Sequence, residues 1–172
     1  MKSYHKTSLS FLVVLVIAGS IYNSHHNTTS QQNSNSVATT TKAGPLNLYP
    51  DPKLTPGDIL TINSNIICQK GYSKSVRNVP SVEKKKVYAE YNTSYPQPQG
   101  ANEVDHFISL ELGGSNDIKN LWLEPADPKP GFHEKNKVED YLHAQACSGN
   151  MSLAEAQKEI STDWYSVYLK IK

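Results

Sequence analysis

The chain has 172 residues and a formal net charge of +1, from 17 Lys and Arg against 16 Asp and Glu. This balance argues against a protein that binds nucleic acid through a basic excess over its whole surface. Without Lys2 and Lys6, 15 basic residues face 16 acidic ones. The part after residue 57 has the composition of one folded domain with a single modest core.

The N-terminal segment has the pattern of an export signal. Lys2, His5 and Lys6 precede an uncharged apolar run, Leu9 to Ile21. That run is shorter than the roughly 20 residues that a helix needs to cross a bilayer. We therefore predict that residues 1–22 are a signal peptide or N-terminal anchor, and that the protein is secreted, periplasmic or held at the cell surface. Contact with a membrane is expected only through this segment, if it stays uncleaved.

The next segment, residues 23–57, is predicted to be a disordered linker. Residues 23–44 are mostly Ser, Thr, Asn, Gln and His, and they offer too little apolar surface to offset the entropy of ordering. Several prolines then mark an extended arm that leads into the domain at residues 58–172: Pro45, Pro50, Pro52 and Pro56.

The two cysteines, Cys68 and Cys147, lie far apart in the sequence. Disulfides persist in the compartment to which an export signal leads, so we predict one long-range disulfide between them. Free buried thiols or zinc ligands are the alternatives. Neither cysteine belongs to a Cys-x-x-Cys pair, which disfavours zinc.

Hydrophobic spacing and turn residues predict an α+β domain. Alternating apolar and polar residues predict strands, and apolar residues at helical spacing predict helices. A capping box at Ser152 and Glu155 predicts the start of the last helix. The predicted elements are a short strand or extended edge at Asp58–Cys68, a helix at Ser81–Tyr91, strands at Glu103–Leu112 and Asn120–Glu124 that form a hairpin, a helix at Phe132–Cys147, and a helix from Ser152 onward.

One stretch of the hairpin carries a recognisable motif. Asp105-His106 is followed by apolar residues, by Gly113-Gly114, by Asn116-Asp117 and by Asn120-Leu121. This arrangement resembles the signature of the HNH endonucleases, in which an acid and a histidine on a first strand precede a Gly-Gly turn and an Asn-Leu pair. The resemblance is tightest over about thirty residues, and extends more loosely to exported bacterial HNH-like proteins.

The resemblance implies a small ββα-metal core, with flanking helices around it, that hydrolyses phosphodiester bonds. His106 would be the general base, and Asn120 would orient His106 or brace the loop. Asp105 and His133 would bind one divalent ion, Mg²⁺, Mn²⁺ or Zn²⁺, which stabilises the developing charge. Lys135 and Lys137 lie close enough in sequence to His133 to be candidates for contacts with phosphate.

Two departures from the family pattern affect these assignments. Many relatives hold zinc with two Cys-x-x-Cys pairs, which this chain lacks, and its interval from Asn120 to His133 is longer than usual. His143 competes with His133 as the last ligand. At 1.5 Å per residue the two lie about 15 Å apart on one helix, so they cannot bind the same ion. His133 is preferred because it opens the helix.

The sequence predicts an endonuclease that acts on nucleic acid, with DNA as the expected substrate and no evident protein partner. An alternative of another class is an exported binding module that keeps the ββα fold without turnover. A toxin domain is a third possibility, although the sequence predicts no delivery domain. His106 discriminates between hydrolase and binding module, because only the hydrolase requires a base.

Overall fold

The computed structural model describes residues 48–172. The predictions for residues 1–47 lie outside this range. The described residues form a mixed α+β domain with a two-stranded sheet and five helices: α1 (Ser64–Ile67), α2 (Tyr72–Val76), α3 (Ser81–Glu90), β1 (Asn102–His106), β2 (Leu121–Pro125), α4 (Phe132–Cys147) and α5 (Leu153–Ile171).

The sheet is an antiparallel hairpin, as the alternating pattern predicts. β1 pairs with β2 in a register that places Asp105 opposite Trp122 and His106 opposite Leu121. Because successive side chains of a strand point to opposite faces, Asp105 and His106 serve different sides of the hairpin. Asp105 contacts α4, whereas Leu121 and its neighbours on β2 pack against α3.

The main core lies between α4 and α5. Trp164 is almost fully buried there, and its indole N–H donates to the carbonyl oxygen of Leu48 at 2.8 Å. Ser152 caps α5 by accepting from the N–H of Glu155, which confirms the predicted start of this helix. Buried apolar residues from both helices fill the interface: Val138, Leu142, Ala146, Leu153, Ala156, Ile160, Trp164 and Val167.

The hairpin loop is compact because of its glycines and Asn120. Gly113 has a φ of +81°, which L side chains rarely adopt, and a Cβ on Gly114 would overlap the carbonyl oxygen of Ile108. The fully buried side chain of Asn120 joins Ile108 to Ser115. The loop therefore folds back onto the start of β2.

Two predicted strands need correction. β1 ends at His106 rather than Leu112, because the Asn120 side chain bonds both backbone groups of Ile108 and residues 110–112 then form a 3₁₀ turn. Asp58–Cys68 contributes one bridge, from Ile59 to Gly114, and no longer strand. The side chain of Asn63 accepts from Asn65 N–H and starts α1 instead.

The predicted linker also extends too far towards the C-terminus. Residues 48–57 pack on the domain: Leu48 is buried, and the buried hydroxyl of Thr55 donates to the carbonyl oxygen of Leu121 at 2.8 Å. The prolines predict an extended arm, but apolar burial and this hydrogen bond hold the segment against the domain. None of the helices from Leu48 onward has the length and hydrophobicity that crossing a membrane requires.

The predicted disulfide is confirmed. Cys68 and Cys147 are bonded, with their Cα atoms 5.6 Å apart, and they connect positions separated by 79 residues. The bond ties the end of α1 to the end of α4. The His143 imidazole packs beside it, with Nε2 3.4 Å from the sulfur of Cys147 and 3.1 Å from the carbonyl oxygen of Ile67.

Candidate active site at the end of the hairpin

His106 lies at the end of β1 with only 1% of its surface exposed. Its Nε2 is 3.2 Å from Oδ1 of Asn116. The orientation of that amide is set by the segment after α2, since Nδ2 donates to the Val76 carbonyl at 2.8 Å and Oδ1 accepts from Asn78 N–H at 3.0 Å. An amide oxygen only accepts, so neutral His106 carries its proton on Nε2 and its lone pair on Nδ1.

The surroundings of His106 favour this neutral form. Burial lowers the pKa of the imidazole, and the positive charges of Arg77 and Lys135 add to the effect, while Asp105 and the Asn116 bond oppose it. Among residues 48–172, Nδ1 has no hydrogen-bond partner. Because Nδ1 is covered, a water molecule reaches it only after neighbouring side chains move.

On the other side of β1, a fully buried ammonium group holds four oxygen neighbours. Nζ of Lys135 donates to Oδ2 of Asp105 at 2.9 Å, to the carbonyl oxygen of His106 at 3.0 Å, and to Glu139. Glu124 forms a further ion pair at 3.5 Å. We call these residues the lysine cluster: Asp105, Glu124, Lys135 and Glu139.

The charges of the lysine cluster follow from burial and mutual attraction. Burial disfavours the charged lysine, but the three carboxyl groups outweigh it and raise the pKa of Lys135 well above its usual value. Burial also raises the pKa of Asp105, yet the attraction of Lys135 prevails and leaves it below its usual value. Burial raises the pKa of Glu139 to about 7 and that of Glu124 well above normal. Lys135 and Asp105 therefore form the charged pair at neutral pH.

The predicted metal pair, Asp105 and His133, does not fit a divalent ion in this arrangement. The ammonium of Lys135 takes the position beside Oδ2 of Asp105 that a bound cation needs. His133 lies exposed in the first turn of α4, with its ring against that of Phe132 at 4.2 Å between centroids. A cation held by Asp105 would be repelled by the buried lysine.

Within residues 48–172, three ligating side chains come within 4.8 Å of one another at a single place. These are Cys68, His143 and Cys147, and the two cysteines are joined in the disulfide. Their sulfur atoms are not thiolates, which are the form that binds metal. His143 therefore packs beside a disulfide, and these three side chains are not an alternative to the predicted ion site.

Of two further predicted site residues, Asn120 has the second of its two predicted roles and Lys135 does not have its predicted role. Asn120 braces the loop, with hydrogen bonds of 2.9 Å to both backbone groups of Ile108, and Asn116 is the amide that contacts His106. Lys135 is fully buried, so its predicted contact with phosphate is wrong. Lys137 is exposed, and its role in binding substrate stays a prediction.

Four residues of this region were not assigned these roles from the sequence: Asn116, Arg77, Glu124 and Glu139. A signal existed for Glu139, which lies one helical turn after Lys135 at the i+4 spacing typical of ion pairs. Asn116 belongs to the HNH-like stretch, but its contact with His106 depends on how the loop folds.

The arrangement brings a neutral imidazole and an exposed guanidinium to one end of the hairpin. His106 has an unpaired nitrogen that accepts a proton, and Arg77, on the segment held by Asn116, offers positive charge to an anion. This combination suits proton abstraction beside a negatively charged substrate. Comparison with family models, curated proteins and solved structures finds no match for this chain.

Proposed function

We propose that this chain is an exported endonuclease that hydrolyses phosphodiester bonds of nucleic acid, with DNA as the expected substrate and His106 as the general base. The observation that carries the proposal is the position of His106, whose buried ring is held through Nε2 by Asn116 at the end of β1. Burial lowers its pKa, and Asn116 directs its lone pair to Nδ1, where no other group competes for a proton. The HNH-like stretch from Asp105 to Leu121 supports the same role.

In this proposal each residue has a defined task. His106 removes a proton from the attacking water, which contributes about 10²- to 10⁴-fold to a typical rate. Asn116 is a positioning residue, since it fixes the ring and its tautomer. Arg77 attracts the phosphate, because a guanidinium matches two phosphate oxygens at once. The disulfide suits an oxidising compartment and thus supports export.

The divalent ion remains a prediction from the family resemblance. The ammonium of Lys135 occupies the place beside Asp105, so the proton transfer and the phosphate contact are assigned to the chain's own residues. Mg²⁺, Mn²⁺, Zn²⁺ and EDTA are therefore compared in the activity assay. A dependence on one cation would show that the ion binds by a rearrangement of the lysine cluster or at other residues.

Plasmid nicking tests the proposal directly. The full chain is incubated with supercoiled DNA and each cation or EDTA, beside the variant His106→Ala. We expect wild-type protein to nick the plasmid and His106→Ala to be slower by about 10²- to 10⁴-fold. Circular dichroism confirms that the variant is folded, because His106 is buried.

The exposed histidine provides a matched comparison. His133→Ala removes an imidazole with little burial, so its fold should be unaffected. Unchanged nicking by His133→Ala agrees with the structure, whereas a loss that higher metal concentration restores would identify it as a ligand. The nuclease proposal fails if a folded wild-type chain cuts neither DNA nor RNA with any cation.

A second function is favoured by one observation. His106 and Asp105 are both buried, and the buried Lys135 satisfies Asp105. A site closed in this way also suits an exported binding module that keeps the hairpin and helix without turnover. Equal binding of a nucleic acid by wild type and His106→Ala, with no cleavage by either, would support this alternative.

A further inference from the structure

An open groove runs along the outer side of β1, next to the candidate active site. It has a volume of about 300 Å³ and lies between the segment after α2, helix α3, Tyr95 and the strand. Its lining includes Arg77, Lys84, Tyr88 and Tyr95. We call it the tyrosine groove. A groove of this size accommodates one nucleotide rather than a duplex.

The charges along the tyrosine groove are locally positive, although the whole chain is nearly neutral. Within residues 48–172, neither Arg77 nor Lys84 forms an ion pair with a carboxylate. Lys85, the next residue of α3, lies 5.6 Å from the ring centre of Tyr95. Glu103 also lines the groove and partly offsets these charges. The two cations without carboxylate partners are thus available to an anionic ligand.

Tyr95 gives the groove an aromatic surface. Its ring meets that of Tyr88 edge to face, with 5.1 Å between centroids, and Tyr88 is buried in the α3–β2 core. Tyr95 itself remains 51% exposed. An anchored ring with half of its surface open is a platform on which a planar base stacks.

The tyrosine groove is connected to His106 through the side chain of Asn116 and the backbone on either side of Arg77. Asn116 accepts from the N–H of Asn78 and donates to the carbonyl of Val76, the two residues that flank Arg77, and its Oδ1 also contacts His106. Arg77 therefore belongs to a segment held by the same amide that contacts His106, and it also lines the tyrosine groove. A phosphate bound by Arg77 would have its neighbouring nucleotide in the groove.

We propose that the tyrosine groove binds one unpaired nucleotide beside the phosphate that is cut, so that single-stranded nucleic acid is bound in preference to duplex. This inference rests on the proposed function. Tyr95 stacks on the base, Arg77 binds the adjacent phosphate, and Lys84 binds the next one. In a duplex both faces of each base are already covered by neighbouring base pairs, so the platform discriminates against it.

Fluorescence anisotropy tests the groove without relying on cleavage. The full-length variant His106→Gln is titrated against a labelled single-stranded 12-mer of DNA and against a hairpin duplex containing the same sequence. Wild-type protein in EDTA is measured in parallel in case the variant does not fold. We expect the single strand to bind at least about tenfold more tightly than the duplex, because only its bases offer a free face.

Matched substitutions locate the binding. Tyr95→Ala should weaken single-strand binding by roughly 5- to 100-fold, the effect of losing one base–aromatic stack. Tyr141→Ala removes a comparably exposed tyrosine of α4 that lies outside the groove, and it should leave the dissociation constant unchanged. Lys84→Ala should lower the dependence of binding on salt by about one phosphate contact, and Lys158→Ala on α5 should not.

The binding and cleavage results together distinguish a failure of the groove proposal from a failure of the nuclease proposal. If Tyr95→Ala binds the single strand like wild type, or if the duplex binds equally well, the groove assignment is overturned even if plasmid is nicked. If binding behaves as expected and no cation supports cleavage, the groove stands and the nuclease proposal fails.

Discussion

The two sides of the β1–β2 hairpin treat buried polar groups in opposite ways. Asp105, facing α4, is charged and fully matched by Lys135. His106, its neighbour in sequence, is kept neutral by burial and leaves one nitrogen without a partner. A buried charge persists only where an opposite charge and hydrogen bonds compensate its loss of hydration.

The difference indicates which side is structural and which can react. The three N–H groups of Lys135 donate to Asp105, Glu139 and the carbonyl of His106, so no capacity remains for a ligand. Among residues 48–172, Nδ1 of His106 is left without a hydrogen-bond partner, as are the carboxyl oxygens of Glu124 and the indole nitrogen of Trp122. Of these groups, the imidazole is the one suited to accept a proton near neutral pH. We therefore expect substitutions in the lysine cluster to change stability first, and substitutions around His106 to change activity first.

The largest effect on stability should come from Lys135→Met. This change leaves the buried carboxyl groups of Asp105, Glu124 and Glu139 without their cation, and breaking a buried ion pair in this way costs about 3–5 kcal/mol. We expect the free energy of unfolding, measured by urea denaturation, to fall by that amount.

Lys137→Met is the matched control for this prediction. It removes a lysine from the same helix two positions later, but from an exposed site, and it should change the free energy of unfolding by less than about 0.5 kcal/mol. Equal effects of the two variants would contradict the structural role of the lysine cluster.

A smaller effect on stability should distinguish Asn120 from Asn116, the two asparagines of the loop. Asn120→Ala leaves both backbone groups of Ile108 without the side-chain bonds that hold them, at a cost of about 1–3 kcal/mol in unfolding free energy. Asn116→Ala frees the ring of His106 at a half-buried position. Its nicking rate should fall more than its stability.

Denaturation and nicking of the same two variants check this contrast. Asn120→Ala should retain wild-type activity in proportion to the folded fraction, because Asn120 does not touch His106. If Asn120→Ala slowed nicking more than Asn116→Ala while fully folded, the assignment of Asn116 as the positioning residue would be wrong.

The elements with strong local signals were predictable from the sequence. Helix α4 has the predicted bounds, and the Ser152 N-cap marks the predicted start of α5. These features depend on residues close together in the chain. β1 ends earlier than the alternating pattern predicts, because the side chain of Asn120 bonds the backbone N–H and carbonyl of Ile108. Asn120 lies twelve positions after Ile108, and a local alternation of apolar and polar residues does not encode such a contact.

Prediction of the candidate site is limited in the same way, by contacts between residues that are distant in the sequence. The motif located Asp105 and His106 at the end of a strand, but pairing each with its partner required the tertiary structure. From the sequence, Lys135 is predicted to contact phosphate because it lies near His133 at the helix start. Three carboxyl groups that converge from β1, β2 and α4 reverse that expectation.

The smallest predicted effect concerns how the free energy of unfolding changes with pH. The sign of this change should differ between the contributions of His106 and Glu139. The folded pKa of His106 lies below its value in the unfolded chain, so the unfolded chain binds more protons in that window. The stability linked to His106 is fully present above about pH 6.5, the pKa of unperturbed histidine, and is lost as pH falls. For Glu139 the folded pKa is raised to about 7, so its contribution is lost as pH rises.

Urea denaturation at pH 5.5 and pH 7.5 measures both signs. Relative to wild type, His106→Gln should lose less stability on acidification, and Glu139→Gln should lose less stability as pH rises. The sign of each difference is the predicted quantity; for scale, one pKa unit corresponds to about 1.4 kcal/mol. Glutamine does not titrate, so the first comparison reports His106, and the second reports Glu139 together with the neighbouring Lys135 and Asp105, whose charges act on it. Slopes of the same sign for both variants would mean that His106 is not held neutral, and the general base would then lose its main support.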